Sequence, residues 1–464
     1  MIYFADNNLF KRNFITFSLL ILTLFFFLSC DYTVDNPGPT PDSRLNQEVA
    51  LPSVVAGMER ATAEALNWIA YTGGAVSLEI NAAGSIGAFG VSTAERRGNL
   101  LAGEAGTHWQ YSQRARFTAE NGIKRMRDVL GDEFSSSDLA AEGLLWVGYS
   151  NRLLGENFCK AVINGGEAQS NDEYFRRAEN AFSEALSIAE NIGNSRLTTA
   201  ALAGRAQINV NQGDWSDAVS DAQQVPADFE YKMQYYDQTE VQRNRIFFAN
   251  SNEPYRAHTV ADTYYGPDVT DSYGGIGDLS FSPIDGSNYY VQTGDSRVPY
   301  NTNPEFDFGD TGKIAWFPQQ KYDEPTSSIT LASGAEMKLI LAENELITNS
   351  DRSAAMTIIN NLRDTVPRDE TEEVDSGTGV ANRSASTMEE VWGHLKRERG
   401  IELWLEARRM GDRRRWINSD AVPNAHPDQD LPKRDYCWPI SQDELESNPN
   451  VDDSDNNMSA PYNY

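Results

Sequence analysis

This chain predicts an all-α protein: stacked helix pairs, a loop-rich aromatic part and a few short β-strands. Three observations carry that reading. Apolar residues recur at three- and four-residue spacing over most of residues 44–225, which is the mark of helices with one buried face. A helix-turn-helix unit repeats within that stretch. Residues 231–330 then abandon the helical period for aromatic rings set among Gly, Asn, Asp and Pro. At 464 residues the chain has room for about three domains or one large solenoid. Its 68 acidic and 39 basic residues leave a net charge of −29, which repels phosphate backbones and argues against a nucleic-acid partner.

The first segment reads as a targeting signal. Lys11 and Arg12 precede an apolar run over residues 14–28, shorter than the ~20 residues that cross a bilayer core. Small Ser29 and then Cys30 follow, where bacterial lipoprotein signals place the cysteine that is acylated. Phe27 and Leu28 depart from the usual residues before that cysteine, and an ordinary secretory signal with an incidental Cys30 is the alternative. Residues 1–29 are therefore expected to be the signal peptide. Residues 30–44 are expected to be a lipidated cysteine and a flexible tether, because Pro37, Pro39 and Pro41 among polar residues favour extended polyproline II.

Residues 45–230 form the predicted N-terminal helical part. Trp109, Ser112, Arg116, Ala119, Ile123, Met126 and Leu130 trace one helix face, and Ser135, Ser136 and Ser137 offer caps for the next helix. The glycine-rich stretch 71–107, which holds Phe89, predicts a long irregular segment. Phe182, Ala185 and Ala189 correspond to Trp215, Ala218 and Ala222, each 33 positions later, with Ala203-Gly204-Arg205-Ala206 at the crossing. This is similar to tetratricopeptide repeats, whose period is about 34, and such scaffolds dock against partners.

Residues 231–330 hold 18 aromatic rings, whereas aromatics make up 11% of the whole chain. Rings on loops beside amides and carboxylates suit sugars, which are apolar on one face and hydroxylated at the edge. Composition selects Trp316, Tyr264, Tyr265, Tyr289 and Tyr290 in this part, with Phe89 from the glycine-rich stretch, as ligand-binding candidates; most other rings are expected to pin loops onto the helical body.

Residues 331–464 return to helices. One is expected to start at Glu336, and the longest from about Thr387, where Thr387 and Glu390 form a capping box. Along it, Arg399 with Glu402, Glu406 with Arg409, and Arg408 with Asp412 stand at ion-pair spacing. Three Glu at 398, 402 and 406, each with an Arg within about a turn, read as structural cross-links. Catalytic acids of a glycoside hydrolase are the alternative. Ala83-Gly84-Ser85-Ile86-Gly87 lacks the spacing of a nucleophile elbow, and Asp453-Ser454-Asp455-Asn456-Asn457 lacks the glycine of a calcium loop. No metal or cofactor is expected. Cys159 and Cys437 could pair in an oxidising compartment, but sequence does not place them within bridging distance, and two free, mostly buried thiols are expected.

Glu398-Arg399, Glu402-Leu403, Glu406, Arg409, Asp412 and Arg415-Trp416 together resemble the helical signature of the SusD/RagB nutrient-uptake outer-membrane lipoproteins. Ala407 stands where the family has Gly and Arg413 where it has Leu; both substitutions suit a continuous helix. Glu336-Met337 through Leu341-Ala342-Glu343, and Trp438-Pro439-Ile440 through Asn448-Pro449-Asn450, resemble two further family segments. The resemblance implies a tetratricopeptide-like body under a loop-rich binding part. It also implies a lipid-anchored, non-catalytic protein at the cell outer membrane, capturing glycans or peptides as the lid of a SusC-like, TonB-dependent barrel. A lipoprotein glycoside hydrolase and a docking scaffold without a small ligand are the alternatives.

Overall fold

The computed structural model describes residues 42–84, 91–251, 256–261, 263, 295–301, 316–366, 380–423 and 434–456. The chain divides into two units, Met1–Leu45 and Asn46–Tyr464. The signal peptide, Cys30 and nearly all of the tether lie outside the described residues. The tether's last predicted residues, from Asp42, already belong to a 3-10 turn, Asp42–Asn46, so extended chain does not run to residue 44.

The second unit opens with helix α1, Leu51–Val76, which carries Pro52 in its first turn, where a missing N–H costs nothing. Leu51, Val55, Met58, Thr62, Leu66 and Ile69 face inward, and from Ile69 on every residue is buried. Strand β1, Asn81–Ala82, and short helix α2, Thr93–Arg96, occupy the glycine-rich stretch; Ser92 and Glu95 close α2 with a capping box. Helix α3, Gly106–Leu130, buries Trp109, Ser112, Arg116, Ala119, Ile123 and Met126 as the spacing predicts. Helix α4, Asp138–Asn157, starts on Ser137, whose hydroxyl accepts from the Ala140 N–H at 3.3 Å. Its residues 143–157 are all buried, which makes it the axis of the molecule.

A small hairpin, β2 Lys160–Val162 and β3 Ala168–Ser170, leads to the repeat. Helices α5 Asp172–Ile192, α6 Ser195–Gln212 and α7 Trp215–Ala222 turn on Gly193 and Gly213, at φ of 70° and 81°, a left-handed region only glycine enters cheaply. Phe182 of α5 slots between α4 and α6. A Cβ at Gly148 or Gly204 would stand 2.5 or 2.4 Å from its ring, so both helices need glycine at the crossing. The repeat holds, with Phe182, Ala185, Ala189, Ala218 and Ala222 buried and Trp215 half-buried.

Strand β4, Glu230–Met233, leaves the repeat, β5, His258–Thr259, pairs antiparallel with β1, and β6, Ile329–Ser333, pairs antiparallel with β4. The aromatic part is thus tied back to the helices near both ends. Helix α8, Gly334–Ile347, is capped by Ser333, and α9, Arg352–Thr365, by Asp351. Helix α10, Met388–Glu402, has the predicted Thr387/Glu390 capping box.

The predicted continuous helix then breaks. Residues 403–408 form a turn before α11, Arg409–Ile417, and the longest described helix is α1. Leu405 and Ala407 sit at φ of 59° and 63°, so the family's glycine at position 407 suits a left-handed turn, and alanine there is strained. The physical reason for the break is tertiary: the Leu405 N–H donates to Glu79 Oε1 at 3.0 Å, and Trp404 Nε1 donates to the Glu79 carbonyl at 3.0 Å.

The cysteines are also corrected. Cys159 and Cys437 form a disulfide, with Cα atoms 5.2 Å apart. Phe158 and Trp438 run side by side as a parallel bridge, with the Cys159 N–H donating to the Trp438 carbonyl at 2.9 Å. That pairing, between residues far apart in sequence, supplies the proximity that spacing does not reveal. Helix α12, Gln442–Ser447, closes the described chain near its end. No helix among the described residues is long and apolar enough to cross a membrane.

Candidate functional site

The aromatic part is built onto the helices by its own rings and by charges. Tyr231 stacks on Tyr149 with centroids 5.5 Å apart, and Tyr149 meets Phe182 edge-on at 5.0 Å, so the repeat's wedge also seats β4. The Tyr235 hydroxyl donates to the Ala63 carbonyl at 3.2 Å, and the buried Tyr322 hydroxyl to the Leu405 carbonyl at 3.3 Å. Between them the backbone knits together: Val260 N–H to the Phe317 carbonyl at 2.9 Å, Asn301 N–H to Pro318 at 2.9 Å, and Gln320 N–H to Pro299 at 2.8 Å. Residues 256–261, 295–301 and 316–322 therefore form one anchored platform.

Two cations of that platform dock on the signature carboxylates. Arg297 Nη2 lies 2.7 Å from Asp295 and 3.0 Å from Glu398, and its Nη1 lies 3.4 Å from Glu402. Lys321 Nζ lies 2.8 Å from Glu406 and donates to the Trp404 carbonyl at 2.8 Å. Glu398 is shared with Arg363. Behind this layer, Arg399 pairs with Asp412 at 2.9 Å and reaches Glu336 at 3.7 Å. Arg408 bridges Glu336 at 2.8 Å and Glu156 of α4 at 3.1 Å, and Arg415 joins Glu343 to Asp412.

These partners revise the expected pairing along one helix. Arg399 pairs with Asp412 and Glu336 where Glu402 was expected; Glu402 pairs with Arg297; Glu406 with Lys321; and Arg408 with Glu336 and Glu156. The turn at 403–408 removes the helical register that would have stacked the neighbours, and long-range partners take their place. Arg409 is buried, and its charge acts on Glu79.

Burial and pairing compete at each acid. Burial pushes the Asp412 carboxyl up, but Arg399 and Arg415 outweigh it and hold it well below the usual range. Glu336 is likewise lowered, burial being outweighed by Arg408 and Arg399. Burial wins at Glu402, raised despite Arg297, and at Glu406, raised to about 7 despite Lys321. Glu79, also buried, rises to about 7 against the Leu405 N–H and the charges of Arg409 and Lys321. Three glutamates each engaged by a cation act as cross-links; this arrangement fastens segments together.

Trp316 is 3% exposed, with the Arg256 guanidinium 6.0 Å from its ring and no hydrogen-bond partner for its Nε1 among the described residues. Phe89, Tyr264, Tyr265, Tyr289 and Tyr290 lie outside the described residues. Among the described residues no cluster of three metal-ligating side chains occurs. Sequence reasoning missed Arg297 and Lys321. Isolated cations in an acidic, aromatic stretch were the only signal, and nothing in spacing ties them to Glu398 or Glu406.

The architecture defines a class: helix pairs whose C-terminal signature clamps a loop-rich segment. Residues 334–457 match the family model described as the SusD family. Several solved structures share the fold. A SusD superfamily protein from Bacteroides vulgatus ATCC 8482 superposes with a TM-score of 0.58 at 16% identity, covering 87% of this chain and 97% of that one. A SusD-like carbohydrate binding protein from the same organism gives 0.55 at 16% identity, over 90% and 100% of the two chains. A chitin-binding SusD homolog from Flavobacterium johnsoniae gives 0.55 at 13% identity, over 81% and 89%. A search of curated proteins returns no match. The C-terminal part is thus similar in sequence to the SusD family, and the chain as a whole carries the fold of SusD-superfamily structures.

Proposed function

We propose that this protein is a lipid-anchored, non-catalytic glycan-binding protein of the cell outer membrane, acting as the capture subunit and lid of a TonB-dependent importer. The observation that carries the reading is the meeting of family signature and aromatic segment. The carboxylates of the matched region, Glu398, Glu402 and Glu406, are spent on Arg297 and Lys321, which hold the ring-rich part in place. A catalytic pair needs one carboxyl poised on a substrate bond and a second opposite it; paired acids at the root of a platform serve binding instead. Proteins named as carbohydrate-binding and chitin-binding share this fold. In this reading Cys30 carries the lipid, a SusC-like barrel is the partner, and Tyr264, Tyr265, Tyr289, Tyr290 and Phe89 contribute the sugar-stacking faces, while Trp316, 3% exposed, packs inside.

The test is to express the full chain in a bacterium with an outer membrane, extract it in mild detergent and identify what co-purifies. The same preparation is run through gels containing soluble polysaccharides. A co-purifying barrel, a mobility shift by at least one polysaccharide and no release of reducing ends are expected. Accumulation of reducing ends would overturn the non-catalytic reading, and an unretarded, barrel-free protein would overturn the importer reading. Replacing Cys30 by Ala should move the protein out of the membrane fraction; unchanged fractionation would remove Cys30 as the anchor.

A further inference from the structure

The outer face of α1 borders a second concave surface, lined by none of the platform residues named above. A cavity of about 240 Å³ opens between residues 56–64 of that helix and residues 234–242. Its walls are fixed before any ligand arrives. The Tyr235 hydroxyl holds the Ala63 carbonyl, the Tyr236 N–H donates to the Gln242 carbonyl at 2.8 Å, and Asn67 Nδ2 donates to the Arg243 carbonyl at 2.8 Å. Into this frame Tyr236 and Val241 each present side chains that are 51% exposed, apolar surface that the core does not use.

Part of the polar lining is unspent. Glu59 is half-buried, and among the described residues no hydrogen bond reaches its carboxylate; burial, then the charge of Glu142, raises its affinity for a proton. Glu64 beside it is occupied by Arg114 and Arg60. Gln234 and Gln242 accept from Ser328 at 3.1 Å and Thr239 at 2.9 Å through their side-chain oxygens, so their amide nitrogens remain as donors. A ring face beside one open acceptor and two donors is complementary to a single pyranose, whose C–H face stacks and whose hydroxyls both give and take hydrogen bonds. The volume falls below the ~300–1,000 Å³ of pockets for drug-sized ligands, which limits the occupant to about one sugar ring.

We propose that the cavity formed by Glu59, Gln234, Tyr236, Val241 and Gln242 is a monosaccharide-sized subsite for a neutral pyranose, separate from the aromatic platform. This assignment rests on the glycan-binding reading above and extends it to a second contact point, through which a long chain would gain avidity.

The full chain in detergent is titrated with methyl glycosides of glucose, galactose, mannose and N-acetylglucosamine, with saturation-transfer NMR reporting contact. At least one glycoside should receive saturation, with about millimolar affinity for so small a contact. Tyr236→Ala should weaken that binding at least tenfold and Glu59→Gln about fivefold. Phe117→Ala, which removes an exposed ring of α3 outside the cavity, should leave it unchanged. All three variants should keep the parent melting temperature, since the side chains are at least partly exposed. Binding that survives Tyr236→Ala overturns the subsite, as does a blank glycoside panel on protein still retarded by a polysaccharide; in that second case the glycan-binding reading stands. A panel and polysaccharides that are both blank overturn the two together.

Discussion

The repeat α5–α7 and the signature helices α8–α11 are both packings of helices, held together by opposite means. In the repeat, α6 buries Ala200, Ala201, Ala203, Gly204 and Ala206, and one ring, Phe182, fills the groove they leave. In the signature helices, Glu336, Glu343, Arg363, Glu398, Arg399 and Asp412 are all buried and paired. Apolar contact is non-directional and roughly proportional to area, so it stacks units without reference to what lies beyond them. Buried ion pairs are directional and carry desolvation costs that can match their attraction, so they contribute little net stability. What they supply here is reach: Arg408 extends to Glu156 on α4, and Arg297 and Lys321 come in from the aromatic part. The repeat builds a body, and the ionic half joins three regions of the chain at one place.

The largest expected effect breaks the ionic half. Glu336→Ala leaves Arg399 and Arg408 short of a carboxylate in a buried site and should cost about 3–5 kcal/mol, read as a lower urea midpoint at constant slope. Glu336→Gln, which keeps an oxygen acceptor without the charge, should cost less than Glu336→Ala. An equal loss would show that the negative charge itself is what the arginines require.

A pH series sharpens the same contrast. Between the ordinary value of 4.5 and about 7, folded Glu79 and Glu406 hold protons that the unfolded chain has lost. Their contribution is complete below about pH 4.5 and disappears as the pH rises through 7. Asp412 and Glu336 are lowered, so theirs is present above 3.8 and 4.5 and is lost as the pH falls below those values. Buried His108 and His258, lowered to about 3, oppose Glu79 and Glu406, because the unfolded chain takes up their protons as the pH falls below 6.5. The Glu79 contribution is therefore read as a difference: from pH 5 to pH 8 the parent should lose on the order of 3 kcal/mol relative to Glu79→Gln, measured by chemical denaturation. A parent-minus-variant difference that stays flat over that range would contradict the assignment.

In the apolar half the matching perturbation is smaller. Gly204→Ala places a methyl 2.4 Å from the Phe182 ring, and the forced shift should cost about 1–3 kcal/mol. Pairing it with Phe182→Leu should relieve part of that loss, and strict additivity would mean the ring is not the obstacle.

What was legible in the sequence divides along the same line. Local rules placed the helices: Thr387 with Glu390, Ser137 before α4, and the 33-residue echo from Phe182 to Trp215 all act within a few turns of chain. The break after Glu402 was not legible, because Glu79, more than 300 residues away, outbids the helix for the Leu405 N–H. The disulfide and the cations that engage Glu398, Glu402 and Glu406 escaped for the same reason. A charge at helical spacing from an opposite charge looks self-sufficient, and only the fold shows that Arg399 prefers Asp412 across a turn. Of the ring candidates Trp316 alone falls within the described residues, and it is buried, since composition counts rings without knowing which face the core.

The smallest effect completes the comparison, because the repeat region also carries ion pairs, in the open. Arg127 of α3 lies 2.6 Å from Glu184 of α5, with side chains 47% and 38% exposed. Water screens that pair and both side chains lose rotamer freedom to make it, so Arg127→Ala should cost under about 1 kcal/mol. The guanidinium also lies over the Phe134 ring at 4.2 Å, so some of even that loss is packing. Salt separates the two kinds of pair: raising ionic strength should shrink the Arg127→Ala difference while leaving that of Glu336→Ala intact, because mobile ions screen exposed charges and barely reach buried ones. Equal salt sensitivity in the two variants would mean that the signature helices are wetter than their burial implies, and the directional joint would lose its physical basis.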